Sequence, residues 1–302
     1  MRLFRKGMLV SVFAFMALNL LNLPCFAQFE MDRIFPDSTQ AFFSITDTKV
    51  IQEQWNKTDM GQVLNQPNFQ GFRGSFQSQF ESIWTSRFGM KLNDVLTLSA
   101  GEVGGGLIAY PGKKPGFAMI LNITGKKNEL NEFLTKMINQ VTSVKNGEAK
   151  KERLVIGSTP IDATVLTIPP DEKHPEPRTA WYIDLSELLL VTDQQYLAEL
   201  LLTQLASGQG QANLASVPGY QVPIKRCISE LPQGAVPQIR FFVNPLGAGE
   251  AVHSLRNLTE QQRNRPSTYN ILAKQGFDGV QGVAGIADLA TENFDYLVRV
   301  KV

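Results

Sequence analysis

The sequence predicts an α+β fold: a largely antiparallel sheet with helices on one face and signs of an internal duplication. Three observations predict it. Two apolar runs, Gly101–Tyr110 and Gly116–Ile123, flank a Pro111-Gly-Lys-Lys-Pro115 punctuator, which marks a β-hairpin. Leu130, Phe133, Leu134, Met137, Ile138 and Val141 then step by three and one, the stripe of an amphipathic helix. Parts of this unit recur near the C-terminus. Ile239-Arg-Phe-Phe-Val-Asn-Pro245 resembles Ala41-Phe-Phe-Ser-Ile-Thr-Asp47, Gly282–Asp288 resembles Gly104–Tyr110, and Phe294–Val302 matches Phe117–Ile123. The lengths between these parts fit poorly, so the duplication is an expectation about strand order. Hairpins, rather than long crossovers, join most strands, and that makes the sheet antiparallel.

Residues 1–27 read as a secretory signal peptide. Arg2, Arg5 and Lys6 precede an apolar run from Met8 to Leu23, and Pro24 and the small-x-small series Cys25-Phe26-Ala27 follow. Cleavage is expected between Ala27 and Gln28. An uncleaved signal anchor is the rival reading, and a lipidated Cys25 a third. The whole chain carries +1; residues 1–27 hold three basic and no acidic side chains, which leaves −2 on the rest. No basic surplus is left for a nucleic-acid backbone, and no further apolar run is long enough to span a bilayer. Cys227 is the one cysteine outside the signal, so the core must supply the stability without an internal disulfide. Two α+β units are expected: 28–210, and a second, incomplete one at 211–302.

In order along the chain, Ala41–Thr46 reads as a strand, and Asp47 or Thr48 as the cap of a helix with Val50, Ile51 and Trp55 inward. Phe69, Phe72, Phe76, Phe80, Ile83, Trp84 and Phe88 follow at helical spacing. They are expected in the core, with a partner groove as the alternative. Gly71 and Gly74 inside this stripe suggest close packing. Arg153–Ile156 with Ile161–Ile168, and Thr179–Ile183 with Leu188–Val191, read as hairpins. Tyr196, Leu197, Leu200, Leu201 and Leu205 mark a helix, and a Pro/Gly-rich connection leads to Ile239. In the second unit the strand Phe294–Val302 has no helix after it. Its alternating Tyr296, Val298, Val300 and Val302 leave one side strongly apolar, so a missing continuation or a partner is expected to cover it.

Few chemistries have the residues they need. His174 lies in an acidic loop with Asp171, Glu172 and Glu176, and His253 in a helix; neither belongs to a pair with metal-ligand spacing. There is no Gly-x-Ser-x-Gly elbow. Gly104–Gly106 lacks the Lys-Ser/Thr of a phosphate loop, and Gly279, Gly282 and Gly285 depart from the dinucleotide spacing. Asp47, Asp94, Glu102, Asp162, Asp184 and Asp288 are the carboxylates from which a catalytic pair could be drawn. The sequence names no catalytic residue, no metal ligand and no cofactor.

Phe35-Pro-Asp-Ser-Thr, Met60-Gly-Gln-Val-Leu, Ser99-Ala-Gly-Glu-Val, Arg240-Phe-Phe-Val-Asn-Pro and Gln275-Gly-Phe-Asp-Gly-Val-Gln-Gly-Val-Ala-Gly resemble exported proteins of unknown function abundant in planctomycete bacteria. The resemblance implies export and an α+β fold and carries no catalytic residue across. The expectation is therefore an exported, periplasmic or secreted, binding or structural module. Its partner is an unknown protein or envelope component. A carboxylate-based extracytoplasmic hydrolase is the alternative. Two carboxylates converging in a concave pocket would favour the hydrolase, and a flat apolar surface the module.

Overall fold

The computed structural model describes residues 30–302 apart from 70, 72–73, 75–84, 86–87, 89–90, 92–93, 95, 171–174, 208–211, 256–270, 272, 277–278 and 292–295. The signal segment with Ala27 and Gln28, the aromatic positions Phe72, Phe76, Phe80, Ile83 and Trp84, and His174 with Asp171 and Glu172 lie outside the described residues.

The described elements are α1 (Met31–Ile34), β1 (Thr39–Ile45), α2 (Thr48–Lys57), α3 (Asp59–Leu64), β2 (Val103–Ile108), β3 (Gly116–Asn122) and α4 (Lys127–Thr142). There follow β4 (Glu148–Ile156), β5 (Thr159–Ile168), β6 (Arg178–Asp184), β7 (Leu188–Thr192), α5 (Gln195–Ser207) and α6 (Pro218–Ser229). The last are β8 (Ile239–Val243), α7 (Pro245–Ser254), β9 (Val283–Leu289) and β10 (Tyr296–Lys301). All ten strands join one sheet in the order β10-β9-β8-β1-β2-β3-β7-β6-β5-β4. Every neighbouring pair is antiparallel. The fold is α+β with an antiparallel sheet, as the hairpin signals predict.

Strand alternation sorts the core into two layers. Ala118, Ile120, Trp181, Ile183, Leu188 and Leu190 face Leu197 and Leu201 of α5 and Tyr220 and Ile224 of α6. Met119, Leu121, Tyr182, Leu189 and Val191 face Leu130, Phe133, Met137 and Val141 of α4. Helices therefore cover both faces of the sheet, which corrects the expectation of one covered face. The reason is legible in β7: all five of its residues, Leu188-Leu-Leu-Val-Thr192, are buried, so both sides of the strand require cover.

The two expected units share this sheet. β1 pairs with β8, the fourth and third strands from the β10 edge, with Phe42 opposite Phe242 and Ser44 opposite Arg240. β2 and β3 lie outward on one side of that pair, β9 and β10 on the other. Strand order alone does not make this a duplication. α2 is capped as expected, Asp47 Oδ1 accepting from the Lys49 and Val50 amides at 2.8 and 3.1 Å. None of its residues is buried, however, so Val50, Ile51 and Trp55 do not reach the core. Of the aromatic stripe's described members, Phe88 is buried and Phe69 exposed. A Cβ on Gly71 or Gly74 would meet nothing within 4 Å, so close approach is not their role among the described residues.

Candidate functional site

The Gly104–Gly106 run of β2 is a landing surface. A Cβ at Gly104 would lie 2.8 Å from Met31 Cβ, and one at Gly106 would lie 2.8 Å from the Phe35 ring. Their absence lets α1 settle directly on the sheet, where Met31 and Phe35 are fully buried. On the opposite face Gly105 makes room for the Phe43 ring across the β1–β2 ladder. The glycines thus serve backbone approach between protein segments.

Seating α1 carries Asp32 into the α5/α6 side of the core, where it meets residues from three other places. Tyr220 of α6 donates its hydroxyl to Asp32 Oδ2 at 2.9 Å. Arg240 of β8 stands 3.5 Å from Asp32 Oδ1 and 3.7 Å from Glu102 Oε1, just before β2. Glu102 is 3 %, Asp32 8 % and Arg240 9 % exposed. Phe42 and Phe242 hold the Tyr220 ring edge-on, with centroids at 6.1 and 5.7 Å. The hydrogen bonding is incomplete: both Glu102 oxygens, Asp32 Oδ1 and Arg240 Nε are buried without a hydrogen-bond partner among the described residues.

Two carboxylates share one guanidinium here, and the titration follows from that. Burial pushes the Glu102 carboxyl up to about 7; Arg240 opposes the rise and the charge of Asp32 adds to it. Burial also disfavours the Arg240 charge, but Asp32 and Glu102 outweigh this and raise its pKa. Tyr220 lies far above the ordinary phenol range, through burial first and the neighbouring Asp32 second.

Of the six carboxylates named from sequence, only Glu102 enters this cluster. Asp47 caps α2. Asp94 meets Lys136 at 3.3 Å, Asp162 meets Arg153 at 3.0 Å, and Asp184 pairs with Lys127. Asp288 accepts from the Gln238 amide at 3.0 Å. Asp32, Arg240 and Tyr220 were not legible as partners. Asp32 sits in a helix too short to show a period, and Tyr220 is 188 positions away from it. The available signal was a charge embedded in an apolar strand, Arg240 between Ile239 and Phe241. Cys227 is buried in the core, its thiol 3.6 Å from the Arg299 carbonyl, and burial pushes that thiol up. Among the described residues no group of three His, Cys, Asp or Glu is placed to hold a metal ion.

A second feature lies at the sheet edge. β10 has β9 as its one strand neighbour among the described residues. Tyr296, Val298, Val300 and Val302 are all exposed. Leu297, Arg299 and Lys301 point to the other side, where Lys301 reaches Glu230 at 2.8 Å and Arg299 reaches the same carboxylate at 3.6 Å. Beside the end of the strand a cavity of about 410 Å³ opens between α6 and the approach to β9, lined by Pro218, Val222, Pro223, Val280 and Val302. Compared with protein-family models, curated proteins and solved structures, the chain matches none.

Proposed function

We propose that the chain is an exported binding or structural module of the cell envelope that works by contact and carries out no catalysis. One observation carries this reading: the converging carboxylates belong to the core, while the accessible feature is an apolar strand edge. Asp32 and Glu102 tie α1 to β2, β8 and α6 under the sheet, and the cavity beside Val302 is lined by neither. The signal-like N-terminus and the resemblance to exported planctomycete proteins support export.

A carboxylate hydrolase is the second reading, favoured by the near-neutral titration of Glu102 beside Asp32. The experiment that separates the two uses the chain from Gln28 to Val302. It is immobilised and exposed to detergent-solubilised envelope, and in parallel assayed against chromogenic glycosides and esters. Saturable capture of a defined envelope component, with no turnover, is the expected result. Turnover abolished by Glu102→Gln in a chain that stays folded would overturn the module reading.

A further inference from the structure

The buried cluster holds two carboxyl groups and one cation. Among the described residues its members are Asp32 on α1, Glu102 just before β2, Arg240 on β8 and Tyr220 on α6. Glu30, exposed beside α1 and paired with Arg33, acts on Arg240 from outside. Arg240 balances one carboxylate, so the buried set is neutral only while the other holds a proton. Asp32 receives the Tyr220 hydroxyl, whereas neither Glu102 oxygen has a hydrogen-bond partner among the described residues. The proton therefore sits on Glu102, in line with the rise that burial gives its carboxyl. The elements around this proton differ in what fixes them. Arg240 lies opposite Ser44 of β1 and Ile286 of β9. The Glu102 carbonyl accepts from the Asn122 amide at 2.9 Å, at the end of β3. α1 is one turn of four residues, laid on the sheet through Met31 over Gly104. Just after it the chain is pinned: the Phe35 carbonyl accepts from the Leu214 amide at 2.8 Å, and Pro36 bridges to Asn213. The part that can swing is Met31–Ile34, and it carries Asp32.

We propose that Asp32 is the bolt of a proton-operated latch that holds α1 on the sheet. With Glu102 protonated, Asp32 takes Arg240 and α1 lies over Gly104. When Glu102 gives its proton to water, its own carboxylate takes Arg240. Asp32 then turns out to solvent, and α1 leaves the sheet with it. In both states Arg240 faces one charged carboxylate, and no uncompensated charge stays buried. Asp32 is the member that moves because its element is the smallest and is hinged at Pro36, while Glu102 and Arg240 are held by strand ladders. The sign follows from the direction of the Glu102 shift: α1 is docked below about pH 7 and released above it. Release bares the Gly104 seat and the Tyr220 hydroxyl. The latch is independent of whether the chain works by contact or by hydrolysis.

The test is hydrogen–deuterium exchange, read by mass spectrometry, on the chain from Gln28 to Val302, which spans every described residue. Exchange in α1 is divided by that of the same sequence as a free peptide at each pH, which removes the intrinsic pH dependence. The Arg33 and Phe35 amides report, since they bond to the Glu30 and Met31 carbonyls at 2.9 and 3.1 Å. Their protection is expected to fall roughly tenfold or more between about pH 5.5 and 8.5, while the Leu188–Thr192 amides of β7 keep theirs. Glu102→Gln leaves Asp32 on Arg240, and Asp32→Asn leaves Glu102 as the one carboxylate. Each is therefore expected to keep α1 docked, with level protection across the range. Gly104→Ala crowds Met31 and is expected to loosen α1 at every pH, as a merely structural contact would. Level protection in the parent chain overturns the proposal. So does a fall that persists in Glu102→Gln or in Asp32→Asn, and so does a fall that β7 shares, which would make the loss global. Should one variant fail to fold, the other variant and the parent's contrast between α1 and β7 still decide.

Discussion

Arg240 is the residue on which the interior charge balance turns. Among the described residues it is the single cation facing Asp32 and Glu102, at 3.5 and 3.7 Å. Replacing it by Met leaves two buried carboxyl groups without a counter-charge, a loss of about 3–5 kcal/mol. The exposed Arg153–Asp162 pair is a built-in control: Asp162→Asn should change stability by less than about 1 kcal/mol. Urea denaturation of both variants at neutral pH checks the contrast, and equal effects would show that burial does not set the strength of these pairs. Glu102 adds a pH dependence. Its folded pKa of about 7 lies above the usual 4.5, so the folded chain holds this proton more tightly than the unfolded one. The stability it contributes is whole below about pH 4.5 and is lost as pH rises through about 7, amounting to on the order of 3 kcal/mol. Glu102→Gln carries no such proton, so between pH 4.5 and 7.5 the difference in unfolding free energy between variant and parent should shift by that amount in the variant's favour. Parallel stability curves for the two chains across this range would contradict it.

At the scale of elements, glycine decides where α1 can lie. Gly104→Ala brings a Cβ to 2.8 Å from Met31 Cβ, an atom close to the backbone with little freedom to move. The helix must lift, at a cost of about 1–3 kcal/mol, and limited proteolysis near residues 30–36 should speed up. Gly279→Ala, with open space around its Cβ, is the matched control and should stay within about 0.5 kcal/mol. Much of this level was legible in the sequence. The β2–β3 hairpin and α4 follow from period and punctuation, because each shows its own buried face within a short window. β1 and β8 were legible from paired phenylalanines, and the structure adds a shared detail: Phe43 stands opposite Gly105, and Phe241 opposite Gly285. The quartet around Asp32 was not legible, since its members come from α1, α6, β8 and the approach to β2, whose nearness depends on strand order. The second covered face was missed because a continuous apolar run such as Leu188–Val191 does not say which side it buries.

At the scale of the molecule, the central fact is that the β1–β8 ladder joins residues before 210 to residues after 211. Five residue pairs, from Ala41 opposite Val243 to Ile45 opposite Ile239, close the sheet there. The Asp32–Arg240–Glu102–Tyr220 cluster spans the same junction, and α6 lays Tyr220 and Ile224 into the core that α5 and β1 also line. A chain of residues 28–210 alone would open the edge of β1, expose Phe42 where Tyr220 and Phe242 now stand, and leave Asp32 and Glu102 without Arg240. Together these losses are comparable with the roughly 5–15 kcal/mol by which domains of this kind are stable. The 28–302 chain should therefore unfold in one cooperative step, with far-UV circular dichroism and tryptophan fluorescence tracing the same transition. The 28–210 chain should give no cooperative transition and should bind a hydrophobic dye at rest. Two separated transitions in the longer chain, or a cooperative transition in the shorter one, would show that the sheet divides at the β1–β8 ladder.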